Sequence, residues 1–362
     1  MVDQFPTSPN SGDRREPPDL RSPVLLVSGR RRLGKLVMAL AIILIAGATV
    51  SAGSAVTLYR AYSGPGPLVT DVSVVVPPGA TGRAIGVILE DSGVAADYRL
   101  FLLAVRFFVP KLPLRAGEYA FSKGVSLREV IAVLQSGQTV VRRVTVPEGL
   151  NTREILRLVA SVDGLSGSVP NAAVVPEGAL LPETYHFSLG DHREGLISRM
   201  AVARDAALAR LWAHRKVNLP LKTPYEALIL ASIVERETAV AEERARVAAV
   251  FINRLNLGMP LQSDSTVAYG LGPAGTQLDR PLIRRDLEVD HPYNTYLHRG
   301  LPPGPIASPG VASIAAALDP TETDELYFVA DGTGGHAFAR TLAEHNRNVA
   351  RWRRIQRQQR AR

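Results

Sequence analysis

One stretch limits this chain more than any other: from Leu36 to Tyr59, 24 consecutive residues carry no formal charge. A helix rising about 1.5 Å per residue needs roughly 20 apolar residues to cross the hydrocarbon layer of a membrane. A continuous helix also satisfies its own backbone polar groups there. A cleaved signal peptide is the competing reading. Against it stand the 35 residues that precede the run and its length, well beyond the usual core of about 7–15 apolar residues. The expectation is an uncleaved membrane helix over residues 36–59.

Flanking cations give its direction. Arg30, Arg31, Arg32 and Lys35 precede the run, whereas Arg60 is the only cation between positions 60 and 80. The positive-inside rule then puts residues 1–35 in the cytoplasm and everything after residue 60 outside. The tail 1–35, rich in Pro, Ser and charge, is expected to be disordered. An extracytoplasmic bulk of about 300 residues, roughly two domains on length alone, has no ready supply of ATP or nicotinamide. Hydrolases, transglycosylases and binding modules become the natural classes. The chain has no cysteine, so neither disulfides nor thiolate metal sites can form. Its net charge of +8 suits a polyanionic partner, but six arginines between Arg351 and Arg362 supply much of the excess as a basic helix end. No nucleic-acid motif accompanies them, and the topology argues against such a partner.

After a Pro/Gly linker at 60–70, the sequence echoes itself. Val74-Val-Val76-Pro77-Pro78-Gly79 followed by Arg83 and Ile85 matches Val144-Thr-Val146-Pro147-Glu148-Gly149 followed by Arg153 and Ile155, at a constant offset of 70. Each copy reads as strand, turn and helix, the helices at 84–89 and 154–160. Glu118, Tyr119 and Phe121 echo Glu183, Tyr185 and Phe187. Two copies suggest small α+β modules; a repeated packing solution without a binding role is an equally open reading.

Further on, Glu194–His214 has the spacing of an amphipathic helix. Thr223-Pro224-Tyr225-Glu226 is a capping box with proline at the first helical position, opening a helix over Tyr225–Glu237. Glu242–Leu257 is helical too, but no Gly or Pro marks a break near Ala239. Ser308-Pro309 opens a short helix, Glu325–Val329 and His336–Ala339 form a hairpin around Asp331-Gly332, and Thr341 with Glu344 caps a basic C-terminal helix. Strands and helices intermix without strict alternation, so the fold class is α+β.

The residue best suited to chemistry is Glu235. The helix before it, Ala227-Leu-Ile-Leu-Ala-Ser-Ile-Val234, is apolar on nearly every side, and Glu235 stands over Leu228, Ala231 and Ser232. Desolvation favours the neutral acid, which a glycosidic leaving oxygen requires. Periodicity leaves open a Glu exposed at the helix end and paired with Arg236 or Arg244. Glu237 competes from a more polar stretch, and Glu242 and Glu243, beside Arg244 and Arg246, read as solvated surface. Gln262-Ser263-Asp264-Ser265-Thr266 supplies small polar groups in a loop, and Tyr293-Asn294-Thr295-Tyr296 precedes the stiff run Gly300-Leu-Pro-Pro-Gly-Pro305. Aromatic faces and amides of this kind suit sugars, although turns would use the same residues. The seven histidines lack metal-ligand spacing, and no cofactor or metal is expected.

Four strings in one order, LASIVERETAV (230–240), RVAAVFINRLNLGMPLQSDSTVAYG (246–270), YNTYLHRGLPPGPIASPG (293–310) and LYFVADGTGGHAF (326–338), closely resemble the endolytic murein transglycosylases, also called the MltG or YceG-like family. The span and echo fit the same architecture, so the resemblance covers about residues 36–355. It implies a LysM-like module at 71–143, a catalytic domain at 144–355 and a basic tail at 356–362. It also implies that Glu235 is the catalytic acid/base, cleaving the β-1,4 bond between N-acetylmuramic acid and N-acetylglucosamine in nascent strands. The product would carry a 1,6-anhydro end, formed without water or cofactor, and the cut would limit strand length. Gln262, Ser263, Asp264, Asn294 and Tyr296 would line the groove, and wall synthases would be partners. Ser265 departs from the proline common in the family, which bears on loop rigidity. The alternatives are a glycosidase that uses water and a non-catalytic, membrane-anchored glycan-binding scaffold.

Overall fold

A computed structural model of the protein describes residues 28–109, 112–273, 278 and 280–360. The tail expected to be disordered lies, up to residue 27, outside the described residues. The apolar run forms α1 (Ser28–Ser63), of which Leu33–Ser63, 31 residues, is apolar enough to cross a membrane and has nothing packed on its most apolar stretch. Two of its hydroxyls turn back onto the helix. Thr49 donates to Ala46 O and Thr57 to Gly53 O, each at 2.9 Å, so these two hydroxyls are satisfied by the helix's own backbone.

The segment 60–70, read as a linker, is anchored at two side chains. Tyr62 is buried and its ring stacks on Phe108 at 5.0 Å, while Leu68 joins the same core. Gly66 donates to Gly124 O at 3.1 Å, and a Cβ at Gly66 would overlap Val125 O. The glycine that suggests slack in the sequence is there to permit close approach.

Next come β1 (Val72–Val76), α2 (Gly82–Asp91), α3 (Tyr98–Phe107), β2 (Gly117–Phe121) and α4 (Leu127–Ser136). β1 pairs antiparallel with β2, Val74 opposite Tyr119, over a core including Leu89, Phe101 and Ile131. The echo then repeats in space: β3 (Arg142–Thr145) leads into α5 (Thr152–Ala160) and pairs antiparallel with β4 (Thr184–Phe187), Val144 opposite Tyr185. In each copy the tyrosine hydroxyl donates to the carbonyl four residues before it, Tyr119 to Arg115 and Tyr185 to Leu181, both at 2.8 Å. The second copy shares its core with α6 (Arg193–Ala213) through Leu196, Ile197 and Met200.

The rest is mainly helical: α7 (Pro224–Glu237), α8 (Arg244–Asn256), α9 (Asp264–Leu271) and α10 (Val311–Leu318), closed by the hairpin β5 (Tyr327–Ala330) and β6 (His336–Ala339) and by α11 (Leu342–Arg360). α7 is the axis of this part, with every residue from Ala227 to Val234 buried. Each buried Leu or Ile contributes about 1.5–3 kcal/mol. The break between α7 and α8 needs no Gly or Pro. Thr238 turns extended and its hydroxyl accepts from Val240 N at 3.0 Å, a local bond that competes with the helix. Among the described residues, three separate two-stranded sheets set between these helices make the architecture α+β.

Candidate active site

After Glu226 in its first turn, α7 is buried without a break from Ala227 to Val234, so the next charged group, Glu235, emerges where the helix leaves the core. Ser232, one turn earlier, donates to Ile229 O at 2.7 Å and accepts from Ile306 N at 3.0 Å. That second bond ties the Pro/Gly-rich loop to α7 and brings Gly310 N to within 2.9 Å of Glu235 Oε2, to which it donates. The same loop bonds the turn of the second echo copy: Gly149 N donates to Ser308 O, and Ser308 N to Leu150 O. A Cβ on Gly149, which has φ +79°, would stand within 4 Å of Glu235 Cγ and the Arg236 side chain, and Arg236 donates to the Gly149 carbonyl at 3.1 Å.

The Glu235 side chain is only 5% exposed. Its carboxylate does not face apolar groups alone, as the helix pattern suggested. Arg244 Nη2 stands 3.7 Å from Oε1 and also 3.2 Å from Glu148 Oε2, so one guanidinium bridges two carboxylates. A Cβ on Gly310 would overlap Glu148 Oε1. Burial, then the charge of Glu235, raises the pKa of Glu148, with Arg244 opposing and Glu183 adding to the rise.

Glu237 leaves the helix in another direction, as residues two apart do. It accepts from Ser263 Oγ at 2.5 Å and Ser265 Oγ at 2.9 Å. Burial raises its pKa; the two hydroxyls pull it back, nearby Asp264 raises it further and His336 lowers it. Glu243, expected as solvated surface, is bound instead: its oxygens accept from His336 N at 2.9 Å and contact His336 Nδ1 at 2.7 Å, fastening the hairpin to the start of α8.

The polar cluster read as a loop is the N-terminus of α9. Gln262 is exposed at φ +52°, while Ser263 is buried and its N–H donates to Thr295 Oγ1 at 3.0 Å. Asp264 Oδ1 accepts from Tyr296 OH at 2.6 Å; burial and that bond push the tyrosine pKa up. Asn294 is 1% exposed and its amide is committed within its own loop, donating to Leu287 O and Val289 O and accepting from Tyr296 N. It holds Tyr296 in place and offers nothing to a groove.

A cavity of about 430 Å³ opens beside these groups, lined among others by Gly149, Arg236, Asp264, Ser265, Tyr269 and Arg280. Gly149 is its link to Glu235: a Cβ at this glycine would stand 3.7 Å from Glu235 Cγ. Sequence reasoning brought Asp264 to this wall but missed Glu148, Arg236, Gly310, Tyr269 and Arg280. The echo flagged Pro147-Glu148-Gly149, without any sign that this turn would meet α7.

Comparison with known proteins matches residues 74–351 to the model of the YceG-like family. An endolytic murein transglycosylase of Bacillus subtilis (strain 168) is 33% identical over 308 residues, covering 77% of this chain and 84% of its own. One from Streptococcus pneumoniae serotype 2 (strain D39 / NCTC 7466) is 32% identical over 322 residues, covering 77% of this chain and 58% of its own. A crystal structure of a yceG-like protein from Listeria monocytogenes is 30% identical at a TM-score of 0.48, covering 76% of this chain and 98% of its own.

Proposed function

The chain belongs to the YceG-like family, and from that premise we propose that it is an endolytic murein transglycosylase with Glu235 as acid and then base. The observation that carries the reading is the placement of Glu235: nearly closed to solvent, held by the Gly310 N–H, and backed by the glycine that walls the cavity. As the acid, Glu235 gives its proton to the glycosidic oxygen while the bond from C1 of N-acetylmuramic acid to O4 of N-acetylglucosamine breaks. The 6-hydroxyl of the same muramic acid attacks C1, and its proton passes to the Glu235 carboxylate. The enzyme is regenerated and a 1,6-anhydro end is released. One carboxyl suffices because the nucleophile belongs to the substrate. Gln262, Asp264 and Tyr296 form the sugar-facing wall, with Ser263 and Asn294 holding it in place.

In this reading residues 36–59 span the cell membrane with the N-terminus cytoplasmic, residues 71–143 form a LysM-like module, and 144–355 form the catalytic domain. The substrate is nascent peptidoglycan, cut near the membrane to limit strand length, in company with wall synthases. Glu235→Gln keeps the shape and removes the acid. Cleavage should fall by roughly 10²–10⁴-fold while the melting temperature holds. Mass spectrometry of digested uncrosslinked glycan reads the ends: reducing ends would replace this mechanism with hydrolysis, and undiminished cleavage by the variant would remove Glu235 from it.

A further inference from the structure

α3 is fixed from inside. Phe101 and Ala104 are buried in the first core, Asp97 caps its N-terminus, and Gly86 of α2 is pressed against Tyr98 and Phe101 so closely that a Cβ would meet both at 3.1 Å. What it turns outward is unusual for a water-facing helix: Leu103 is 42% exposed and Phe107 67% exposed. With Leu100 they stand at i, i+3 and i+7, which is one stripe. Arg99 and Arg106 flank that stripe, and Arg106 lies over the Phe107 ring.

The stripe also has a definite neighbour. Leu100 closes a groove of about 570 Å³ whose other walls are Val50, Gly53, Ser54, Thr57, Leu58 and Ala61, all on α1. At the other end of α3, Phe108 meets the Tyr59 and Tyr62 rings at 6.3 and 5.0 Å. α3 therefore lies beside the outer end of the apolar helix, and its exposed stripe continues the apolar flank that α1 would present to lipid. Tyrosines gathered at that level, with arginines beside leucine and phenylalanine, are what a membrane–water boundary selects. Arginine stems can lie along acyl chains while the guanidinium groups reach phosphate.

We propose that α3 is a second membrane contact: Leu100, Leu103 and Phe107 enter the outer leaflet beside α1, with Arg99 and Arg106 at the level of the lipid phosphates. This rests on α1 being a membrane span, and it adds that the first module is seated on the bilayer rather than held above it.

The absence of cysteine makes the test direct. Single variants Leu103→Cys, Phe107→Cys, Leu44→Cys on α1 and Val202→Cys on α6 are made in the full chain and labelled with an environment-sensitive fluorophore. They are reconstituted in vesicles of equal parts phosphatidylcholine and phosphatidylglycerol. All four sites are exposed, so labelling asks little of the fold. A nitroxide carried on lipid acyl chains should quench positions 44, 103 and 107 severalfold more than aqueous acrylamide does, with the reverse at 202. If 103 and 107 follow 202 while 44 stays lipid-quenched, the span stands and the second contact is wrong. If 44 follows 202, the span and the contact both fall. Protection of 103 and 107 from both quenchers would assign the stripe to a second copy of the chain and overturn the proposal.

Discussion

The two echo copies differ less in what they are than in what they touch. Both run from a strand through a Pro/Gly turn into a side-chain-capped helix, and both return with a tyrosine bonded to its own chain. Both turn glycines are left-handed, φ +75° at Gly79 and +79° at Gly149. Yet nothing lies within 4 Å of where a Cβ on Gly79 would stand, whereas one on Gly149 would meet Glu235 and Arg236. One small unit serves as plain architecture in the first copy and as a wall of the candidate site in the second. The difference comes from where α7 ends, and from Glu148 in place of Pro78.

The sharpest way to break this comparison after Glu235→Gln is Gly310→Ala. Gly310 has φ −71°, open to any residue, so the need there is space. The methyl should drive the Glu148 carboxylate off Arg244 and lower glycan cleavage by roughly 10–100-fold. Glu148→Gln should follow it in direction, and Pro78→Glu in the first copy should leave cleavage unchanged. Equal effects in both copies would show that the second turn has no special role. Gly79→Ala and Gly149→Ala should each cost about 1–2 kcal/mol in denaturant melts, because both force a Cβ into the left-handed region. Only the second should also slow cleavage.

A pH series isolates Glu237. Its folded pKa is raised above the ordinary value of 4.5, so the folded state holds the extra proton in that window. The stability linked to it is complete below that value and is lost as pH rises through the raised one. Glu237→Gln should flatten this part of a melting-temperature profile, and an unchanged slope would place the titration elsewhere. The smallest effect sharpens the likeness: Tyr119→Phe and Tyr185→Phe should each cost about 0.5–1.5 kcal/mol and leave cleavage alone.

Much of the chain after residue 190 was legible because its elements are long and regularly patterned. The long apolar helix α1, α6, α7, α8, the hairpin and the capping box of α11 all stand near where periodicity and capping put them. The box expected at α7 is half-formed, since Glu226 accepts from Lys222 N rather than from its cap residue. The α9 helix was read as a loop because its first turn is all small polar residues, which favour turns in isolation. The site's frame was out of reach for a different reason. Glu148 and Gly310 approach Glu235 from 87 residues before it and 75 after it, through backbone bonds that no local pattern announces.

Ser232 and its neighbours have a last implication. A rod wedged on every side cannot slide or roll, so the carboxyl at its tip has a fixed address. Recognition of a strand must then come from reshaping the groove's outer walls, and drift in this enzyme's preferences should accumulate there while the rod stays as it is.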